Sequence, residues 1–497
     1  MHGDLTTEID AASDNGNEAK LTELSEECSI RLQKADGIER VHLHYHKANC
    51  HAGISAINNH DSDFQWSWEQ PHGIKEVLEL RSAILEPAFS DLDHISVSCI
   101  RTNLGNRLFS LGRPIAANEQ WLAALESSPK FAKALANRGK GLFHYAWALY
   151  DYGHRSIILA AARSELDTAL AEDAFWESSD REVFVPWLTS KRNEIAEYLE
   201  KVEYREDFDL DQWGFGKTQD ERTYREWCAS NRLFINPIND CHTVSVAARD
   251  VLHLPSHVYS SRETPRFPAY FNLLKQEFVS ARYRLFRALH DDEPKFIMRD
   301  VTMIDTGEGQ VLGHYTEEIR STFRATYSIF DKIALFLNDY FNLGVEARQV
   351  NFANVWKNGT NKKNTRLNEN FTNYRNYPLR GLYFLSRDLL DLLDPDNKNV
   401  AEPDAANLAK LRHQAEHRFL SLRYFDHENG TPTHEFVGIN SFIEKTKRML
   451  KLAREALIYV SIAMHREEEI RAEAKNDDTK VVIPMPSRPF NKFDKII

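Results

Sequence analysis

Along the second half of the chain, apolar residues recur at steps of three and four, the spacing of helices that each bury one stripe. Phe323, Tyr327, Phe330, Ala334, Leu337 and Phe341 form one long run, with Gly344 as its expected stop. The segment FPAYFNLLKQEFVSARYRLFRALH predicts a helix before it, and KFIMRDVTMIDT predicts a short strand pair or an extended crossing between the two. Pro378 opens a third helix, RGLYFLSRDLLDLL, ending at Asp394 and Pro395. Leu408, Leu411, Ala415, Phe419 and Leu422 mark a fourth helix. Met449, Ala453, Ala456, Val460 and Met464 mark a fifth, from Phe442 to about Glu473. An all-α bundle is the economical reading of this half.

The first half carries a different pattern. Residues 101–129 place Leu104, Gly105, Leu108, Ala117, Trp121, Ala124 and Pro129 at the small and large positions of a tetratricopeptide repeat. Gly139 follows Gly105 by 34 residues, the period of that repeat, with Ala162, Leu166 and Ala169 available for its second helix after an insertion. A weaker copy starts at LHYHKANCHAGI, with Ala48 at a small-residue position. The expected organisation is an acidic, flexible N-terminus over residues 1–37, a repeat domain over 38–202, a charged and aromatic linker over 203–232, a helical domain over 233–474 and a tail over 475–497. Repeat arrays offer a concave surface to another protein, or serve as a structural collar.

Charge separates the halves further. The whole chain of 497 residues carries −12, yet residues 1–230 carry −15 and the remainder +3. No stretch approaches the ~18 apolar residues of a membrane span, and the polar opening MHGDLTTEIDAASDNGNEAK does not read as a secretory signal, so a cytoplasmic protein is expected. Five cysteines, an odd number without C-x-x-C spacing, read as free thiols rather than a disulfide framework or zinc module.

The densest chemistry is RHQAEH, Arg412 to His417, on the fourth predicted helix. At about 100° per residue, Arg412 lies to one side of Leu408, His413 and Glu416 fall further round, and His417 sits nearly opposite. The cluster is therefore on the face this helix does not bury in its own core, to be covered by a second subunit or by substrate. Cleavage of RNA through its own 2′-hydroxyl needs a base, an acid for the departing 5′-oxygen, and positive charge on the phosphorane. The His417 imidazole suits one proton transfer, because such rings titrate near neutral pH. Arg412 offers a fixed fork of donors to the non-bridging oxygens. Glu416, one turn from Arg412, is placed to orient it, and His413 is one turn from His417.

An arginine, four intervening residues and a histidine, with a polar residue directly after the arginine, resembles the HEPN superfamily. FRATYSIFDKIALFLNDYFNLG, NYPLRGLYFLSRDLLD and LAKLRHQAEHRFL together resemble its LA2681-like HEPN family over roughly residues 230–470. The fold implied is mainly α: a tetratricopeptide-like repeat domain followed by a HEPN-type helical bundle. The resemblance implies a metal-independent endoribonuclease without cofactor, acting on RNA as a homodimer or higher homo-oligomer with facing motifs, often in prokaryotic antiviral defence or toxin systems. Arg412 and His417 match the family's defining pair and His413 its variable polar position, whereas Glu416 and Arg418 lie outside that pair. The alternatives are a catalytically silent RNA- or protein-binding subunit of a larger defence complex, and a solvated helix face with i,i+4 charge pairs.

Two further segments bear on ligands. VNFANVWKNGTNKKNTRLNENFTNYRNYP sets Lys357, Lys362, Lys363, Arg366 and Arg375 among Trp356, Phe371, Tyr374 and Tyr377, a mixture that suits phosphates and unpaired bases of single-stranded RNA. It equally suits a solvated loop with turn-forming asparagines. His42, His44, His46, Cys50 and His51 would suggest metal on a strand, but the segment fits a repeat helix, which separates His44 from the others. A His413, His417 and Glu416 metal set lacks both the HExxH order and an obvious third ligand, although His427 and His434 follow.

Overall fold

The computed structural model describes residues 2–58, 67–177, 180–256, 265–292, 295–357, 367–372, 374–389, 401–425, 431 and 433–474. Helices supply nearly all the regular structure. The first half contains α1 (His2–Asp14), α2 (Glu18–Leu32), α3 (Gly37–Ile57), α4 (Pro71–Leu85), α5 (His94–Ser110), α6 (Pro114–Ser127), α7 (Ala132–Trp147), α8 (Tyr152–Leu170) and α9 (Asp180–Lys201). The second contains α10 (Gln219–Ser230), α11 (Arg266–His290), α12 (Lys295–Met298), α13 (His314–Tyr340), α14 (Glu369–Thr372), α15 (Tyr377–Leu385), α16 (Ala405–His417), strands β1 (Phe419–Arg423) and β2 (His434–Gly438), and α17 (Ile439–Ala474). Among the described residues no helix is long and apolar enough to cross a membrane.

The N-terminus corrects an expectation. Instead of a flexible acidic lead, residues 2–32 form two helices, because Leu5, Ile9 and Ala12 line one face of α1 and meet Leu21 and Leu24 of α2 over Cys50 and Ile54 of α3. The acidic side chains occupy the opposite, solvated face. Asn17 caps α2 by accepting from the Lys20 amide at 3.0 Å.

Consecutive helices then pair, α3 on α4, α5 on α6 and α7 on α8. Gly105 lets α5 approach α6 so closely that a Cβ there would lie 2.5 Å from the Trp121 ring; Gly139 stands in the same way against Leu166. Residues 34 apart thus perform the same packing task in successive pairs. The segment 203–232 is more than a linker: α10 buries Cys228 and Ala229, and Tyr224 accepts from Arg282 of α11 at 3.0 Å.

One hydrophobic core runs from Val41 to Met464, so both halves share it. At their junction Gly112 has φ +86°, and a Cβ on it would sit 2.6 Å from the Tyr377 carbonyl. Arg113, almost fully buried, bonds Asp388 at 2.6 Å and Glu455 at 2.9 Å. Irregular backbone over 231–256 is held by two more buried arginines. Arg282 binds Asp250 at 2.7 Å, and Arg454 binds Asp240 at 2.5 Å and the Asn236 carbonyl at 2.9 Å. Such pairing is what makes buried charge tolerable.

In the second half α11 packs on α13, and α13 and α15 pack on α17. The predicted fourth helix is shorter than its apolar stripe implied. It ends at His417, and Phe419 to Arg423 form β1, paired in parallel with β2 and bridged to Gln310. Val311 donates its amide to the Leu422 carbonyl at 2.7 Å. Tertiary pairing has overridden the helical period here, since a short apolar run fits either element. The KFIMRDVTMIDT segment holds the single turn α12 and then unpaired chain rather than a strand pair.

Candidate functional site

Helix α16 buries Leu408, Leu411 and also Gln414, and turns His413, Glu416 and His417 of RHQAEH outward. Arg418 leaves the helix in an extended conformation, φ −139° and ψ −172°, so His417 is the last helical residue. Its side chain is 62% exposed. His413 and Glu416 are also solvent-facing, and the His413 and His417 rings lie 5.3 Å apart between centroids.

Arg412 differs from its neighbours. It reaches back to α13, where its Nη2 donates to Asp331 Oδ2 at 2.8 Å and its guanidinium carbon stands 4.1 Å from the centre of the Tyr327 ring. Tyr327 and Asp331 are one turn apart on α13, so ring and carboxylate form a single cradle. Burial alone would weaken the charge on Arg412. The fields of Tyr327, Asp331 and Glu416 outweigh that and hold its pKa above the ordinary arginine value.

Glu416, expected to orient Arg412, approaches its Nε only to 3.8 Å and stands 3.5 Å from His417 Nε2. Asp331 is the closer partner. The arrangement leaves Glu416 between a fixed cation and an exposed imidazole. A second cation, Arg324 of α13, donates to the Ala415 carbonyl at 3.2 Å and so secures the last turn of α16. Neither Asp331 nor Arg324 was visible as a site residue in the sequence: the spacing of α13 puts Tyr327 on a buried stripe but does not say which distant helix crosses it.

Beyond His417 the surface changes character. Phe419 is 73% exposed, and Tyr424 and Phe425 at the end of β1 are also exposed. Arg418, between His417 and Phe419, is exposed as well.

The basic and aromatic loop does not form the expected stacking platform. Lys362, Lys363 and Arg366 lie outside the described residues. Trp356 and Phe371 are buried, packed with Trp68 and Tyr383 at ring separations of 5.1 to 6.4 Å. Tyr374 is half-buried edge-on against Phe341 at 5.1 Å, while Arg375 is exposed. Large rings dominate the apolar area a core buries, and Trp68 arrives from the first half to complete this one.

The histidine-rich segment lies on α3 and its side chains diverge. His44 bonds Glu79 at 2.7 Å, whereas His51 faces His72 at 3.3 Å, where burial pushes it down to about 4. Among the described residues no group of three or more histidine, cysteine or acidic side chains gathers as a metal set.

Residues 258–467 match the model of the LA2681-like HEPN family. The matched segment spans α11 to α16, both strands and most of α17, and includes Arg412, His417, Tyr327 and Asp331. No curated protein and no solved structure matches the chain.

Proposed function

We propose that this chain is a HEPN-type endoribonuclease that cuts RNA through its own 2′-hydroxyl at a site built on Arg412 and His417. The family match over 258–467 supports a nuclease or RNA-related role. The observation that carries the finer reading is the cradle of Tyr327 and Asp331, which fixes the Arg412 guanidinium beside an exposed histidine.

In this reading a base takes the 2′-hydroxyl proton as that oxygen attacks phosphorus. The P–O5′ bond breaks, and an acid returns a proton to the departing 5′-oxygen. His417 performs one transfer, while Arg412 donates to the non-bridging oxygens as charge develops there. The second transfer falls to His413 or to the same motif of a partner protomer. Products are a 2′,3′-cyclic phosphate and a 5′-hydroxyl, with no metal ion needed for the step.

Exposed Phe419, two residues after His417, with exposed Tyr424 and Phe425 beyond the other end of β1, supports a face that is covered in the working assembly, as in a homodimer bringing two motifs together. The tetratricopeptide-like pairs of the first half would receive a protein partner or trigger, as regulation of such a nuclease in antiviral defence or a toxin system requires. A second reading, a catalytically silent RNA- or protein-binding subunit, draws on one observation: Asp331 already neutralises much of the Arg412 charge. Cleavage of single-stranded and transfer RNA by the native protein and its His417→Ala variant separates the two.

A further inference from the structure

Apart from the RHQAEH site, a cleft of about 400 Å³ opens between the helix pairs of the first half and α17. It is walled by α4, α5 and α6 on one side, by α17 on the other, and by the turn that follows α10. Eight of its lining residues are basic and five are acidic. Pairing decides what that excess means. Asp388 and Glu455 are taken by Arg113, Glu402 by Arg448, Glu119 by Lys451 and Glu444 by Lys447. Arg81 shares Asp388 and Glu402, and Arg454 binds Asp240, which leaves Arg101 and Arg232; among the described residues neither forms an ion pair.

Each is held in place at some cost. Arg101 is half-buried, donates to Gln120 Oε1 at 3.2 Å and lies 5.4 Å over the Phe89 ring. Desolvation pulls its pKa below the usual arginine value, offset only in part by the more distant Glu126. Arg232 has φ +54°. It occupies the position where glycine normally ends a helix: its amide bonds the Ala229 carbonyl at 3.0 Å, and the Leu233 amide bonds the Cys228 carbonyl at 2.9 Å. An arginine there bears a left-handed backbone that glycine would adopt freely. What the arginine adds is its side chain, and that side chain lines the cleft.

We propose that this cleft binds a nucleotide-sized phosphate ester. The volume is that of a small-ligand site, and two guanidinium forks outside the ion pairs, Arg232 in the field of the Lys451-bound Glu119 and Arg101 in that of Glu126, match phosphate oxygens. Ile84, Leu85 and Leu104 supply an apolar wall for a flat ring, with Leu85 exposed there. The site is separate from RHQAEH, and the proposal stands without the ribonuclease reading. It does place the ligand beside Glu402, three residues ahead of α16 and tied to Arg448 across the cleft.

Titration calorimetry of the full chain with the four ribonucleoside triphosphates tests it. At least one binds saturably, one per chain, and Arg101→Gln and Arg232→Gly each weaken that binding by on the order of tenfold. Arg232→Gly keeps or raises the thermal midpoint, because glycine relieves the backbone, so lost binding cannot be ascribed to misfolding. His417→Ala binds as the native protein does. Absence of saturable binding by all four at millimolar concentration, binding undiminished in both arginine variants, or binding lost in His417→Ala would overturn the proposal.

Discussion

Arg412 on α16 and Asp331 on α13 stand 81 residues apart in sequence and meet at 2.8 Å. Both side chains are about one-third exposed, so the pair adds little to stability, on the order of 0–1 kcal/mol. Its consequence is orientation. A long flexible arginine is held between Tyr327 and Asp331, one helical turn from Glu416, which stands 3.5 Å from His417 Nε2.

Asp331→Asn therefore separates positioning from folding. The amide keeps an acceptor for Arg412 but removes the charge, and RNA cleavage should fall by on the order of tenfold while the thermal midpoint moves by no more than a few degrees. Single-turnover cleavage and a melting curve on the same preparation read both. Unchanged cleavage would show that Arg412 needs no such cradle.

The junction between the halves should be acid-sensitive in a defined direction. Burial alone would raise the Asp388 carboxyl, and the Arg113 and Arg81 guanidinium groups reverse this, holding it well below the usual carboxylate range. A depressed carboxylate contributes stability that is complete above its unfolded pKa, near 4, and is lost as pH falls through the lower folded value. Arg113→Ala should cost roughly 3–5 kcal/mol at pH 7, because Asp388 and Glu455 lose a buried partner. The gap between native and variant should narrow below about pH 4, as urea denaturation at a series of pH values would register.

Gly112→Ala tests whether the halves share a core or merely touch. The φ of +86° and the approach to the Tyr377 carbonyl both exclude a Cβ. A loss of roughly 2 kcal/mol or more is expected, seen as a lower midpoint of one common transition. Two separate transitions, only one of them shifted, would mean that the halves unfold independently.

Much of the architecture was legible because the buried stripes are long. The run from Phe323 to Phe341 corresponds to α13, with Gly344 at φ +71° beyond it, and the outward placement of His413 and His417 follows from Leu408 and Leu411 alone. Phe419 and Leu422 misled, since steps of three and four cannot distinguish another helical turn from a strand whose partners, Gln310 and His434 to Gly438, lie elsewhere in the chain. Trp356 and Phe371 misled for a related reason: a ring among lysines looks like a base-stacking surface until Trp68 is seen to close over it. Asp331 was hidden because an acidic residue on an exposed helix face carries no local mark of the arginine it will meet.

The basic segment keeps one testable role. If Lys362, Lys363 and Arg366 hold RNA phosphates, replacing all three with glutamine should flatten the slope of log affinity against log salt by about 2, the value for three contacts on a single strand. Filter binding of a single-stranded RNA from 50 to 300 mM salt, on the order of the range where such contacts report, gives that slope. An unchanged slope would remove the loop from RNA binding.

The most direct test of the site is the fate of a labelled single-stranded RNA incubated with the native protein and with His417→Ala. Fragments ending in 2′,3′-cyclic phosphate and 5′-hydroxyl are expected from the native protein, and none from the variant at an unchanged thermal midpoint. Cleavage retained in His417→Ala, or fragments ending in 3′-hydroxyl, would contradict this reading.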